Sequence, residues 1–231
     1  MLDSPGPSDD SNPMDAIVET DTPYERGKAR RRQRLLDTAV EIISEEGEDG
    51  LTIRAIAARA GLSPVTVYNL FGSKLAIIRA AYEQDYDNLV RYFEEHASDH
   101  ALERIFDLIT LSTAYYKQRP KFYRSLFSTL IRNSDSELAI ESWSSRSTNT
   151  RRLLLGAVDA AMLKKDTPVD ILAPMFVRLG RSITQEWVDG TLSFAESREA
   201  LLVSYYTILE NYTTRRGKQE IARILAEHRE E

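Results

Sequence analysis

Residues 51–74 read LTIRAIAARAGLSPVTVYNLFGSK, and the order of residue types in this stretch decides how the whole chain is read. Thr52 is placed to cap a helix whose apolar stripe is Ile53, Ile56, Ala57 and Ala60, and Gly61 suits the left-handed position just past its end. Ser63-Pro64 then opens a second short helix. Serine accepts bonds from free amides, and proline is tolerated at the first helical position because its missing N–H would have no partner there anyway. Gly72 stops that helix, and Ser73-Lys74 starts a longer one carrying Leu75, Ile78, Tyr82, Tyr86 and Leu89. Two helices joined by so few residues around a glycine form a helix-turn-helix candidate, although any two helices of a bundle can be joined by such a turn.

The side chains of residues 64–71 raise that candidate above the bland reading. At about 100° per residue, Val67, Leu70 and Phe71 fall on one side and pack inward, while Val65 and Asn69 face outward. Thr66 and Tyr68 take the two flanks, with Pro64 on the N-terminal rim. This layout fits a helix lying in the major groove of DNA, with the outward residues at base edges and the flanking hydroxyls at the sugar-phosphate walls. Asn69 is able to pair with adenine and Val65 to touch a thymine methyl. Lys74 sits in the first turn of the next helix, where free amides already attract anions. Thr52 and Arg54 open the helix before the turn in the same way, and Ser63, at the mouth of the second helix, joins the set.

Charge supports this placement only when it is divided along the chain. The net charge of −6 includes seven acids and no base in residues 1–25. Residues 26–82 carry ten bases against six acids, so the local field there is positive and attracts phosphate. Arg26, Lys28, Arg30, Arg31, Arg32 and Arg34 crowd nine positions at the start of the first strong amphipathic stretch, which runs from about Lys28 to Glu46. An arm along phosphates or into the minor groove is expected of them, with Arg30 and Arg31 as contacts. The Ser-, Pro- and Asp-rich residues before them read as a disordered acidic tail that competes with DNA for the basic run.

Composition removes several function classes. With no cysteine among 231 residues, disulfides, thiolate metal sites and cysteine nucleophiles are excluded, and a cytoplasmic setting is expected. No apolar run approaches the roughly 18 residues needed to span a bilayer, and acids stand where a secretion signal would carry bases. No phosphate-cradling glycine loop or nucleophile elbow is present, so no enzyme is expected. His96 and His100 lie four apart beside Glu95 and Asp99, but at a helix junction rather than on one helix face; no metal or cofactor is expected.

With these residues in view, Leu51 to Lys74 resembles the DNA-binding signature of the TetR family: the alanine-rich helix, the Gly-Leu-Ser turn, Thr66 and Tyr68 two apart, Phe71, and the Ser-Lys start of the next helix. The close likeness covers about residues 30–80. The resemblance implies an all-α chain, with a three-helix DNA-binding domain (26–73) joined by a long fourth helix to a helical ligand-binding and dimerisation domain (74–231), and with the acidic tail at 1–25. It implies phosphate contacts for Thr66, Tyr68 and Lys74 and base contacts for Val65 and Asn69. Asn69 stands where many members have histidine, and Pro64 replaces a frequently polar residue. Members usually repress, and they release DNA when a small molecule fills a pocket, through a tilt of the helix that begins at Lys74.

The C-terminal half reads as helices at roughly 101–118, 120–132, 136–163, 168–189 and 196–214, with a charged one near 218–229 that takes in His228; Pro120, Pro168 and Gly190 mark breaks. Tyr115, Arg119, Tyr123, Phe127, Trp143, Arg146 and Asn149 mix aromatic and polar character and are candidates for a pocket between helices, an ordinary core being the alternative. An arginine there without a partner would favour an acidic effector. By the resemblance, the last two large helices pair with a second copy, through Met175, Leu179, Ile183, Trp187, Leu201, Tyr205, Ile208 and Tyr212. The expected partners are thus operator DNA, a second copy of the chain and a small-molecule effector, with no membrane. A helical adaptor or ligand sensor without direct operator binding is the alternative.

Overall fold

The structure, a computed structural model, describes residues 22–227. Ten α-helices are found among the described residues: α1 (Pro23–Glu46), α2 (Ile53–Ala60), α3 (Pro64–Phe71), α4 (Lys74–His96), α5 (Glu103–Lys117), α6 (Pro120–Arg132), α7 (Glu137–Asp159), α8 (Val169–Asp189), α9 (Phe194–Glu210) and α10 (Arg215–Glu227). A single 3₁₀ turn, Glu48–Gly50, lies between α1 and α2. The all-α reading holds, and apart from an isolated bridge between Leu163 and Thr213 no strand pairing occurs among the described residues.

The helix starts follow from local chemistry. Thr22, Thr52, Ser63, Ser73, Ser136 and Ser193 each cap the helix that follows by accepting a backbone N–H three residues on. After α2, Gly61 adopts φ 63°, ψ 37°, and the Leu62 amide reaches back 2.9 Å to the Ala57 carbonyl. An L side chain would be strained in that conformation.

Several boundaries differ from expectation. α1 begins at Pro23, five residues before Lys28, because Thr22 and Glu25 form a reciprocal capping box. The expected tail boundary at residue 25 therefore falls inside a helix, and the basic run is helix surface rather than an extended arm; the rest of the acidic tail, residues 1–21, and His228 lie outside the described residues. α7 ends at Asp159, short of 163, where Ala161 takes a left-handed φ of 56°. Of the apolar residues noted on α4, Leu75 is 63% exposed, and Ile77 and Ile78 are the buried residues of that turn.

Two hydrophobic cores organise the molecule. One runs from Leu35 and Leu36 on α1 through Ile56, Val67 and Ile77 to Phe122, Tyr123, Phe127 and Trp187. The other gathers α5, α7, α8, α9 and α10 around Phe106, Leu154, Phe176 and Leu209. Packing does not part at residue 73: the N-terminal helices share their core with α4, α6 and the start of α7. α10 closes the second core with Ile221 and Ile224, and it approaches the α7–α8 connection so closely that a Cβ on Gly217 would lie 2.1 Å from the Met162 carbonyl oxygen.

Candidate nucleic-acid interface and the inner cavity

The short helix α3 presents the two sides that the wheel predicted. Val67 is fully buried, and Leu70 and Phe71 pack on the N-terminal core, whereas Val65 is 65% and Tyr68 54% exposed. Asn69, Ser63 and Pro64 are exposed, and Thr66 is half-buried. Ser63 accepts from the Thr66 amide at 3.1 Å, and the two hydroxyls lie 2.9 Å apart, so the mouth of α3 holds paired hydroxyl groups. Thr52 and Arg54 are exposed at the start of α2, and Lys74 is half-buried at the start of α4. The Thr52 hydroxyl accepts from the Ala55 amide at 3.0 Å, so its capping role is already in use.

The basic run contributes differently from residue to residue. Arg30 and Arg31 are exposed on α1. Arg32 instead turns to α3, where its Nη1 donates to the Leu70 carbonyl at 3.2 Å and its guanidinium lies 4.2 Å from the centre of the Phe71 ring. It therefore ties the outward-facing helix to α1, a role that the sequence pattern does not separate from its neighbours. Arg59 likewise bridges α2 to the end of α1 through Glu45 (2.6 Å) and Glu46 (3.0 Å).

Residues 35–81, which contain α2, α3 and the start of α4, match the model for bacterial regulatory proteins of the tetR family. Over these residues the chain is similar to the TetR family. It is 37% identical over 82 residues to the HTH-type transcriptional regulator UidR of Escherichia coli K12, a match spanning 33% of this chain and 42% of that protein. It is 24% identical over 105 residues to the HTH-type transcriptional repressor KstR of Rhodococcus jostii RHA1, spanning 46% of this chain and 50% of that one. The matches thus cover about half or less of these curated relatives. Among solved structures, a TetR-family transcriptional regulator from Streptomyces coelicolor superimposes with a TM-score of 0.61 at 21% identity, over 86% of this chain and 89% of that one. The likeness beyond the N-terminal region is therefore one of fold.

Beyond this region, the helices line a cavity of about 160 Å³ between α4, α5, α6, α7, α8 and α9. Of the candidate pocket residues, Phe127, Trp143, Arg146 and Asn149 line it. Tyr115, Arg119 and Tyr123 do not. The buried carboxylate of Asp85 on α4 draws them into a separate cluster: Arg119 pairs with it, and the Tyr123 hydroxyl donates to it at 2.6 Å. Burial and the adjacent Asp85 charge push the Tyr123 phenol well above its ordinary pKa, so it remains a proton donor. Tyr116, the next residue along α5, faces the cavity in place of Tyr115.

The expected dimer stripe is also partly turned inward. Trp187, Leu201 and Tyr205 line the cavity, with the Tyr205 ring stacked 4.0 Å from that of Phe176, and Ile183 is buried within the chain. Met175, Leu179, Ile208 and Tyr212 are half-buried, and the apolar residues most exposed on α8 and α9 are Ile171 and Val203. Helical spacing identifies a stripe but not the wall it faces, and here part of the stripe closes the chain's own interior. His96 is the last residue of α4; its Nδ1 lies 2.8 Å from the Tyr92 carbonyl and its ring stacks on Tyr92. His100 lies beyond the helix end. No helix of the described residues is long and apolar enough to cross a membrane.

Proposed function

We propose that this protein is a DNA-binding transcriptional regulator that acts as a homodimer on a near-palindromic operator, represses, and is released when a small molecule fills the inner cavity. The observation that carries the reading is the outward presentation of Val65, Tyr68 and Asn69 on a helix anchored from beneath by buried Val67, with Arg30, Arg31 and Arg54 also exposed on α1 and α2. Base-reading and phosphate-binding groups then share one face. Two such heads on a symmetry axis, with their helices about 34 Å apart, read successive half-sites. The apolar residues left uncovered on α8 and α9, Ile171 and Val203 with half-buried Met175 and Leu179, support self-association through those helices.

Release has a path. The N-terminal half of α4 buries Ile77, Ile78 and Ala81 in the core shared with α1–α3, and its C-terminal half lines the cavity with Tyr86, Leu89, Val90 and Phe93. Filling the cavity tilts α4 and alters the spacing of the two heads. α6 adds a second link, with Phe127 on the cavity wall and Phe122 and Leu126 packed near Ile43 of α1.

Selection of bound fragments from random duplexes, followed by titration at several salt concentrations, tests the reading. A near-palindrome should emerge, and Asn69→Ala should cost roughly 1–3 kcal/mol at one base position and relax preference there. An equal loss on every sequence would overturn the assigned role of Asn69, and no binding at low salt would overturn the regulator reading itself.

A further inference from the structure

We propose that the inner cavity is a receptor for a small organic carboxylate, an apolar body bearing one carboxyl group, with Arg146 as its charge partner. Arg146 projects from the middle of α7 into a wall of aromatic rings, its guanidinium 5.5 Å from the centre of Tyr86, 5.6 Å from Phe127 and 5.8 Å from Trp143. Its Nη1 donates to the Tyr116 hydroxyl at 3.2 Å, but its Nε is shut off from solvent and has no acceptor. One turn earlier on the same face, the Trp143 indole Nε1 is also buried without an acceptor. Native proteins rarely leave buried donors unpaired, because each forfeits its hydration. Both residues, one of them charged, line the same cavity, so a modest shift of either side chain offers its donor to a ligand there.

The charge balance of the wall points the same way. Arg181 on α8 lies 5.6 Å from the centre of the Trp143 ring and pairs with no carboxylate among the described residues. The acid among the cavity-lining residues, Glu94, is held by Arg104 at 2.6 Å and by Arg152 at 2.8 Å, and these contacts keep its pKa below the usual range. Arg146 and Arg181 therefore carry positive charge into the cavity without a negative group of the chain's own. The remaining wall is largely apolar, with Leu89, Phe93, Ile109, Leu153 and Phe176. A planar guanidinium fork matches a carboxylate, and in so apolar a space a singly charged carboxylate costs less to dehydrate than a doubly charged phosphate.

The two tryptophans of the chain, Trp143 and Trp187, both line this cavity, so their fluorescence reports its occupation without DNA. The full-length protein is titrated with octanoate and 4-phenylbutanoate and with the matching neutral amides. At least one acid should bind about tenfold or more tightly than its amide, the discrimination expected of a charge-assisted bond. Arg146→Met should erase that preference while the melting temperature holds or rises, because an uncompensated buried charge has been removed; Arg146→Lys should keep part of it. Equal affinity for acid and amide in both pairs, a preference that survives in Arg146→Met, or no fluorescence response to any of the four compounds would overturn the proposal. The acid-against-amide comparison uses the unaltered protein and so stands even if a variant fails to fold. The inference rests on the regulator reading for its purpose, and the two can fail separately. Acid-selective binding that leaves DNA affinity unchanged would sink the release step alone, and DNA release by the amides as readily as by the acids would sink the carboxylate site alone.

Discussion

The N-terminal head and the cavity region use the same residue types in opposite arrangements. In the head, arginines and hydroxyls stand on the outside, and the interior is closed with Leu35, Ile42, Leu51, Ile56 and Val67. Around the cavity, arginine is inside, enclosed by aromatic rings, and two buried donors are left without acceptors. A surface cation costs little and waits for phosphate in water. A buried cation with a hydroxyl and aromatic rings beside it but no carboxylate has recovered only part of its lost hydration, and an anion supplies the rest. The difference separates a surface that recognises a polymer from outside from a chamber that recognises a small molecule by enclosing it.

Between these regions lies the Asp85 cluster, where a buried charge does have its partners. Asp85→Ala leaves the Tyr123 hydroxyl buried without its acceptor and Arg119 without its counter-ion. It should lower unfolding free energy by about 2–3 kcal/mol, the low side of the range for a buried pair because Arg119 still reaches solvent. Chemical denaturation measures this, and a loss below about 0.5 kcal/mol would show the cluster to be incidental. Next in size, Tyr68→Phe and Lys74→Ala should each weaken DNA binding by a similar factor on operator and random duplex alike, with Lys74→Ala also reducing the salt slope by about one. A sequence-dependent loss would move either residue from the phosphate wall to the base edges. Smallest is Thr52→Ala, which removes the cap of α2 and should cost about 1 kcal/mol of stability. A loss of DNA affinity larger than that would show a second role for the hydroxyl at the backbone.

The legible part of the fold was the part written in local chemistry. Caps at Thr52, Ser63 and Ser73, the glycine after α2 and the proline at the start of α3 act within one turn of themselves, and all three helices begin within a residue of expectation. The cavity was half legible. Phe127, Trp143, Arg146 and Asn149 were in view, but Tyr115, Arg119 and Tyr123 could be separated from them only by knowing where Asp85 lies, 30 or more residues earlier in the chain. Arg32 and Arg30 look alike in a run of bases, and only the position of Leu70 and Phe71 shows that one is a tie and the other open surface. Gly217 carried no signal at all, since its need is set by the Met162 carbonyl of a distant turn.

By itself, the order of residues determined the all-helical architecture, the helix-turn-helix and the outward set on α3, because a period of 3.6 residues and capping bonds are short-range and need no knowledge of the rest of the chain. Only the tertiary structure decided which apolar stripes of α8 and α9 close the interior, which arginine is paired with a carboxylate and which is enclosed without one, and that the head and α6 share one core. Those outcomes depend on which distant surfaces meet, and a helical stripe records that it must be covered without recording by what.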